Sequence, residues 1–447
     1  MQLPARTPKL AVRLLAGIAP LSIVVGATLN AQPKQNPLPA PAPLPVQPEP
    51  AKNGADKFVE TGPELTLGEC IAIALERQPS LKAVKDSAAA TEAGYRALTN
   101  FGTASTLISP DVEIRKQQAK RGLMATSAEY QKLHNEVVQD VTRLYYTSVY
   151  AKQQLQLADR VVFRLNNLVD IAEVFLKETP AKDLGDFNLG KLQVMKSGLL
   201  DAKKFQTSAR VGRQKALAGL REVMAVDART FPFRVKDQEL PIMSQHEPLE
   251  GARVVELALE RRPELVLAAA GVDAFRLEVY AQGRIPFKRV VPTLASGADI
   301  KSKEIPQANR GTDYRPGGII PEMPPQLVGS KFDRVCRAMA FAQRAESVYD
   351  KARNLIVLEA ESAYSDFEEA SERLGYSIQQ FKLSKEIQEN ARASAEIIKA
   401  KDQLVQAEVI AARAQSDYVE AVYKYLLALA ALERVTAGGI FPTFPDR

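Results

Sequence analysis

Ala74-Leu75-Glu76-Arg77-Gln78-Pro79-Ser80-Leu81 returns in the second half of the chain as Ala258-Leu259-Glu260-Arg261-Arg262-Pro263-Glu264-Leu265, with six of eight positions unchanged. Each copy closes a short apolar-periodic run, Ile71 and Ile73 in the first, Val255 and Leu257 in the second. Each opens onto a much longer helical pattern. Self-similarity on this scale marks one structural unit used twice, and it outranks local motifs in deciding the fold.

Composition agrees. Ala, Leu, Glu, Lys, Arg and Gln fill the long segments, Trp is absent and aromatics make up 6%, the bias of long packed helices. The net charge of +6 arises from 59 basic and 53 acidic residues that are interleaved along the chain. Most of that charge belongs on solvated helix faces. No basic patch alternates with aromatics, which argues against a nucleic-acid partner.

Residues 1–31 read as a signal peptide. Arg6, Lys9 and Arg13 give a cationic start, 14–29 is an apolar run, and Val25-Gly26-Ala27 or Leu29-Asn30-Ala31 supplies the small residues of a cleavage site. An uncleaved anchor is the alternative, although the run is short for a span. No cysteine lies near this site, so a lipid-modified N-terminus is not expected. Residues 32–64 read as a Pro-rich linker, either an extended spacer or a disordered leader. Cys70 and Cys336 each lie in an apolar-periodic helical run, where a buried thiol is the expected state. Export would also permit a disulfide.

The first repeat is assigned to 65–240 and the second to 241–447. Short helices are predicted over 66–78 and 80–99, then over 250–262 and 263–283, with Pro79 and Pro263 marking the breaks. Longer pairs follow at 127–177 with 187–225, and at 335–398 with 402–435. In the second half, Val335, Met339, Ala342, Ala345, Tyr349, Ala352 and Ile356 lie three or four apart, and the stripe continues through Ala363, Phe367, Ala370, Leu374, Ile378 and Phe381. A repeat of 3.5 is the narrow seam of a left-handed coiled coil. Laying Tyr145 on Tyr364 also pairs Ala151 with Ala370 and Leu155 with Leu374, at a wider offset than the one between the two quoted copies. The second half has therefore gained length between those points. The gain falls where each half reads as a non-helical insertion, 100–122 in the first and 285–330 in the second.

These residues resemble the TolC-like outer-membrane efflux proteins, from about residue 65 to 436. Leu65-Thr66-Leu67, Ala72-Ile73-Ala74-Leu75 and Pro79-Ser80-Leu81 look like the opening of that family's halves. Leu257-Ala258-Leu259, Pro263-Glu264-Leu265 and Val291-Pro292-Thr293-Leu294 look like the second opening, and Ala421-Val422-Tyr423-Lys424-Tyr425-Leu426 like the final return helix. The resemblance implies a mainly α fold: two repeats of long antiparallel coiled-coil helices that build a trimeric α-barrel, with a small membrane β-barrel portion. It further implies a homotrimer in contact with outer-membrane lipid, its helical part in the periplasm, docking an adaptor protein and an inner-membrane transporter. The chain departs from the family in its insertions. The first is short, and the second contains Pro306, Pro316, Pro321, Pro324 and Pro325, which cannot donate to a strand ladder. Only 290–300 reads as a spanning strand.

The hairpin turns are the candidate pore constriction. Thr179-Pro180-Ala181-Lys182-Asp183-Leu184-Gly185-Asp186 forms one, and Lys401-Asp402-Gln403-Leu404 is similar to the family's Asp-x-Leu-x-Ala segment, one residue out of register. Asp183, Asp186, Lys401 and Asp402 are the candidates; a threefold ring of carboxylates there would favour cations. Alternatively, these aspartates cap helix N-termini.

Signals for chemistry are weak. The stretch from Gly185 to Lys191 has phosphate-loop spacing, but Leu192 stands where Ser or Thr is required. His134 and His246 stand apart from any metal-ligand cluster. Glu359, Glu361, Glu368 and Glu369 read as solvated helix charges. No catalytic residue, cofactor or metal is called for. The expected function is a passive, non-enzymatic export duct gated at its periplasmic coiled-coil ends; the alternative is a periplasmic helical scaffold that has lost transport.

Overall fold

The computed structural model describes residues 62–100, 110–178, 188–242, 249–286, 327, 329–394 and 401–440. Their order is β1 (Glu64–Leu65), α1 (Leu67–Arg77), α2 (Pro79–Thr99), α3 (Val112–Glu178), α4 (Leu189–Val223), β2 (Arg234–Val235), α5 (Gly251–Arg261), α6 (Pro263–Arg284), α7 (Lys331–Ser394) and α8 (Lys401–Val435). The two strands pair in parallel, Glu64 with Arg234 and Leu65 with Val235. They tie the start of the first half to the connection between halves. Gly62 makes this approach possible: its φ is +116°, and a Cβ there would lie 2.0 Å from the Pro232 carbonyl oxygen.

The quoted repeat folds the same way twice. Gln78 and Arg262, each preceding a proline, adopt extended backbone (ψ 118° and 125°), ending α1 and α5. Pro79 and Pro263 then open α2 and α6 at the position that lacks a helical N–H partner. Thr66 and Glu69 form a capping box on α1, the Glu69 N–H donating to Thr66 Oγ1 at 3.2 Å and the Thr66 N–H to Glu69 Oε2 at 2.8 Å. Ahead of each short helix the same tertiary bond recurs. The Tyr145 hydroxyl donates to the Leu65 carbonyl (3.4 Å) and the Tyr364 hydroxyl to the Leu249 carbonyl (3.0 Å). The donors are the tyrosines that the sequence lays on each other. The acceptors, Leu65 and Leu249, stand equally far ahead of the two quoted copies.

Two long helices organise the rest. At 67 and 64 residues, α3 and α7 are each on the order of 100 Å long at 1.5 Å per residue. Each packs against a 35-residue partner, α4 or α8. Toward its start α3 also packs on α2 and α6, and α7 on α6 and α5. The seam changes character along the way. In α3, Val137, Val138, Val141, Thr142, Tyr145, Tyr146 and Val149 are buried in adjacent pairs, a broad face within one core fed by both halves. Farther on, Leu165, Val169 and Ala172 meet Leu192 and Leu199 of α4 as a narrow seam of period 3.5. In α8 the narrow stretch (Ala407, Ala411, Ala414) comes first and the broad one later, where Leu426, Leu429 and Leu432 are fully buried. Each of those leucines contributes roughly 1.5–3 kcal/mol.

The structure corrects the sequence reading at several points. α3 begins at Val112 rather than near 127, so the first insertion is shorter than 100–122. Its first turns carry few apolar residues, but Ile114 is buried and Arg121 bonds Asp273 of α6 at 3.2 Å, an amphipathic face built from charge. Ala338, not Met339, occupies the α7 seam, and Met339 is exposed. Cys336 is exposed too, because the buried positions there are Arg334, Ala338 and Ala342. Cys70 is a fully buried free thiol, and Val254, its counterpart in the second half, is equally buried. Burial first, then the nearby carboxylates of Glu69 and Asp237, pushes the Cys70 thiol up to about 12. Cys70 is therefore expected to resist alkylation in the folded protein at pH 8 and to react after denaturation, as mass spectrometry of labelled peptides would show. The signal peptide, most of the Pro-rich linker and the 290–300 strand lie outside the described residues.

Candidate functional site

Asp183 and Asp186 lie outside the described residues, as does His246. Lys401 and Asp402 are the first two residues of α8. The phosphate-loop-like stretch ends as an ordinary helix start, in which Asn188 Oδ1 accepts from the Lys191 N–H at 3.0 Å and caps α4.

Two turns into α8, the structure brings together four side chains that no sequence spacing joined. The Glu408 carboxylate, 11% exposed, accepts from Arg392 Nη2 at 2.6 Å and Nε at 3.2 Å, and from Gln388 Nε2 at 2.7 Å. Gln388 and Arg392 are one helical turn apart near the end of α7. The oxygen that accepts from Gln388 also receives Arg164 Nη1 of α3 at 2.7 Å. One carboxylate thus binds the second hairpin internally and fastens it to the first. Burial alone would raise its pKa, but hydrogen bonds from Arg392 and Arg164 and their charges hold it below the usual carboxylate value. Nearby, Phe381 stacks on Tyr418 at 5.1 Å between ring centres, and Lys385 Nζ lies 4.5 Å over Phe381.

Toward the central core the halves are joined again. The Tyr150 and Tyr423 rings stack at 4.5 Å, and the Thr147 and Tyr423 hydroxyls are 2.8 Å apart. A charged cluster lies farther along: Arg262, 6% exposed, chelates Glu264 through Nε (3.1 Å) and Nη2 (2.6 Å) and bonds Glu359 of α7 through Nη1. Arg434 of α8 approaches the same Glu359 at 3.9 Å. Glu359 is thus a bridging group, contrary to its reading as a solvated charge. Its i, i+3 and i, i+4 neighbours gave no hint of partners at the α5–α6 junction and on α8, far away in sequence.

Several large apolar side chains of the hairpins are exposed. Phe163 (68% exposed), Val174, Val194 (72%) and Leu200 on the first, and Tyr376 (68%), Leu383 and Ile387 on the second, are covered by nothing among the described residues. Among those residues, no helix is long and apolar enough to cross a membrane, and no group of three or more His, Cys, Asp or Glu is placed to hold a metal.

No protein-family model matches the chain, and no curated protein matches it in sequence. Solved structures are similar to it in fold. The outer-membrane channel OprN aligns at a TM-score of 0.64 and 15% identity, covering 83% of this chain and 90% of that one. The open state of the Neisseria gonorrhoeae MtrE outer membrane channel aligns at 0.62 and 17%, covering 84% and 89%. The Campylobacter jejuni CmeC outer membrane channel aligns at 0.62 and 13%, covering 83% and 86%. With two tyrosine-anchored repeats, two long seamed hairpins and this likeness over most of its length, the chain has the TolC-like outer membrane factor fold.

Proposed function

We propose that the protein is a passive export duct of the outer membrane. Three copies would stand side by side, their long helices forming one periplasmic tube and their insertions one membrane barrel. The observation that carries this reading is the pair of long hairpins, seamed narrowly inside and with large apolar side chains exposed, in a fold shared with outer-membrane channels. A solitary helical body would leave those side chains in water; a ring of copies offers partners to cover them. In this reading the hairpin ends, 182–186 and 401–402, close the tube. Asp183, Asp186 and Asp402, with Lys401 beside them, set its ion preference.

Opening is a separation of the second hairpin from the first, and Glu408 is the contact that must yield. An adaptor protein coupled to an inner-membrane transporter would supply the binding energy for that movement. The duct itself needs no cofactor and performs no catalysis.

The test is electrical. Purified protein in planar bilayers is expected to give cation-selective conductance, and Asp402→Ala to reduce that selectivity. Unchanged selectivity in a conducting protein would remove Asp402 from the constriction. Outer-membrane vesicles should retain the protein through a carbonate wash, and a detergent gel should show a heat-sensitive trimer. Release into the soluble fraction, with no conductance, would leave the scaffold reading.

A further inference from the structure

At the opposite end of the helices, where both insertions leave and rejoin them, a chain of polar side chains, three of them buried, crosses three helices. Arg334, on the first turn of α7, is 1% exposed. Its Nη2 donates to the Ile285 carbonyl (2.6 Å), its Nη1 to the Gly329 carbonyl (2.8 Å) and its Nε to Gln282 Oε1 (2.9 Å). Gln282, equally buried, passes the link to Glu278 at 2.5 Å. Glu278, 3% exposed, then accepts from Arg115 of α3 through both terminal nitrogens, and from Gln118 at 2.9 Å. Arg115 and Arg334 stand at the same offset as Tyr145 and Tyr364. They are repeat mates, although the insertions beside them have no common length or composition.

Ile285 follows the end of α6 and Gly329 precedes α7, so their carbonyls mark where the second insertion departs and returns. One guanidinium holds both carbonyl oxygens, so the two ends of the insertion lie side by side. Closing so long a loop costs chain entropy that grows with the logarithm of its length, and a buried arginine is costly unless its donors are matched. Here each cost meets the other: the donors are matched by the loop's own ends. A lysine could not do this, since its ammonium lacks the planar fork that reaches three acceptors in fixed directions.

We propose that Arg334 is the positioning residue that closes the root of the second insertion, and that the Arg115–Glu278–Gln282–Arg334 chain braces both insertion roots on α6. The brace fixes the roots, Ile285 and Gly329, against the helical body. What the insertions are for rests on the duct reading; the brace does not.

The experiment uses full-length protein with Cys70→Val and Cys336→Ser, carrying spin labels at Arg284→Cys and Lys331→Cys, both exposed positions. With labelled chains diluted into an excess of label-free protein, pulsed electron paramagnetic resonance is expected to give one narrow intra-chain distance distribution in this parent and a broad one after Arg334→Met, with helix content by circular dichroism retained. Arg334→Lys should broaden the distribution as Arg334→Met does. A distribution that stays narrow in either variant overturns the proposal. Assembly is read separately: the parent should give a heat-sensitive trimer and the variants should lose most of it. If the parent itself gives none, the duct reading fails while the label distances still decide the brace.

Discussion

Arg262→Ala is expected to lower the unfolding free energy by about 3–5 kcal/mol, the usual consequence of removing one partner from a buried ion pair. Arg262 is 6% exposed and holds two carboxylates, Glu264 by a two-pronged contact and Glu359 by a single one. In the wild type, burial would raise the Glu264 pKa, yet the Arg262 hydrogen bonds and charge keep it lowered. Without Arg262 those carboxylates face each other, and Arg434 is the cation left beside Glu359. With its burial no longer offset by Arg262, the folded-state pKa of Glu264 then rises above the unfolded one. The deficit should therefore be smallest below the ordinary carboxylate range, about pH 4, and grow as pH rises to neutrality. Denaturant unfolding at both pH values checks this. A loss under about 1 kcal/mol, or one independent of pH, would place Arg262 among ordinary surface pairs.

Glu408→Lys is expected to release the two hairpins from each other. The substitution puts a third cation between Arg164 and Arg392, replacing two charge-assisted attractions with repulsions. Both arginines are half exposed, so solvent screening limits each contact. Even so, a combined change near 1.4 kcal/mol shifts a closed-to-open equilibrium by about tenfold. Single-channel recordings should show open probability raised on the order of tenfold or more, with unit conductance unchanged. An unaltered open probability would mean that the hairpins are held elsewhere. The wild-type latch also has a sign in pH. Because the Glu408 pKa is lowered, its contacts persist above the usual carboxylate value and are lost only as pH falls through the depressed one. In the proposed duct, gating should therefore be the same at pH 7 and pH 5, with opening only in stronger acid.

Most of the helical frame was legible from the chain. Pro79 and Pro263 announce their breaks because proline constrains the residue before it, and the α7 seam announces itself because period 3.5 has few competing explanations. The start of α3 was not legible, since a helix face made of Arg115, Gln118 and Arg121 lacks apolar periodicity until its partners on α6 are known. The Glu408 and Arg262 clusters were hidden for a related reason. Arg164 and Glu408 come from different halves, and a charged side chain on a long helix looks the same in sequence whether it meets water or another helix. Met339 misled by size: alanine at 338 lets two helices approach, while the larger side chain turns outward.

The twin tyrosine bonds give this molecule an internal reference. Tyr145 is wholly enclosed and Tyr364 only partly so, yet both hydroxyls serve a carbonyl just ahead of a short helix. Phenylalanine at either place deletes a hydroxyl-to-carbonyl bond at the matching point of the repeat, with temperature, partners and membrane held in common. The difference between the two measurements then sets a wholly enclosed hydroxyl, which also faces Asp237, against a half-buried one beside Glu368.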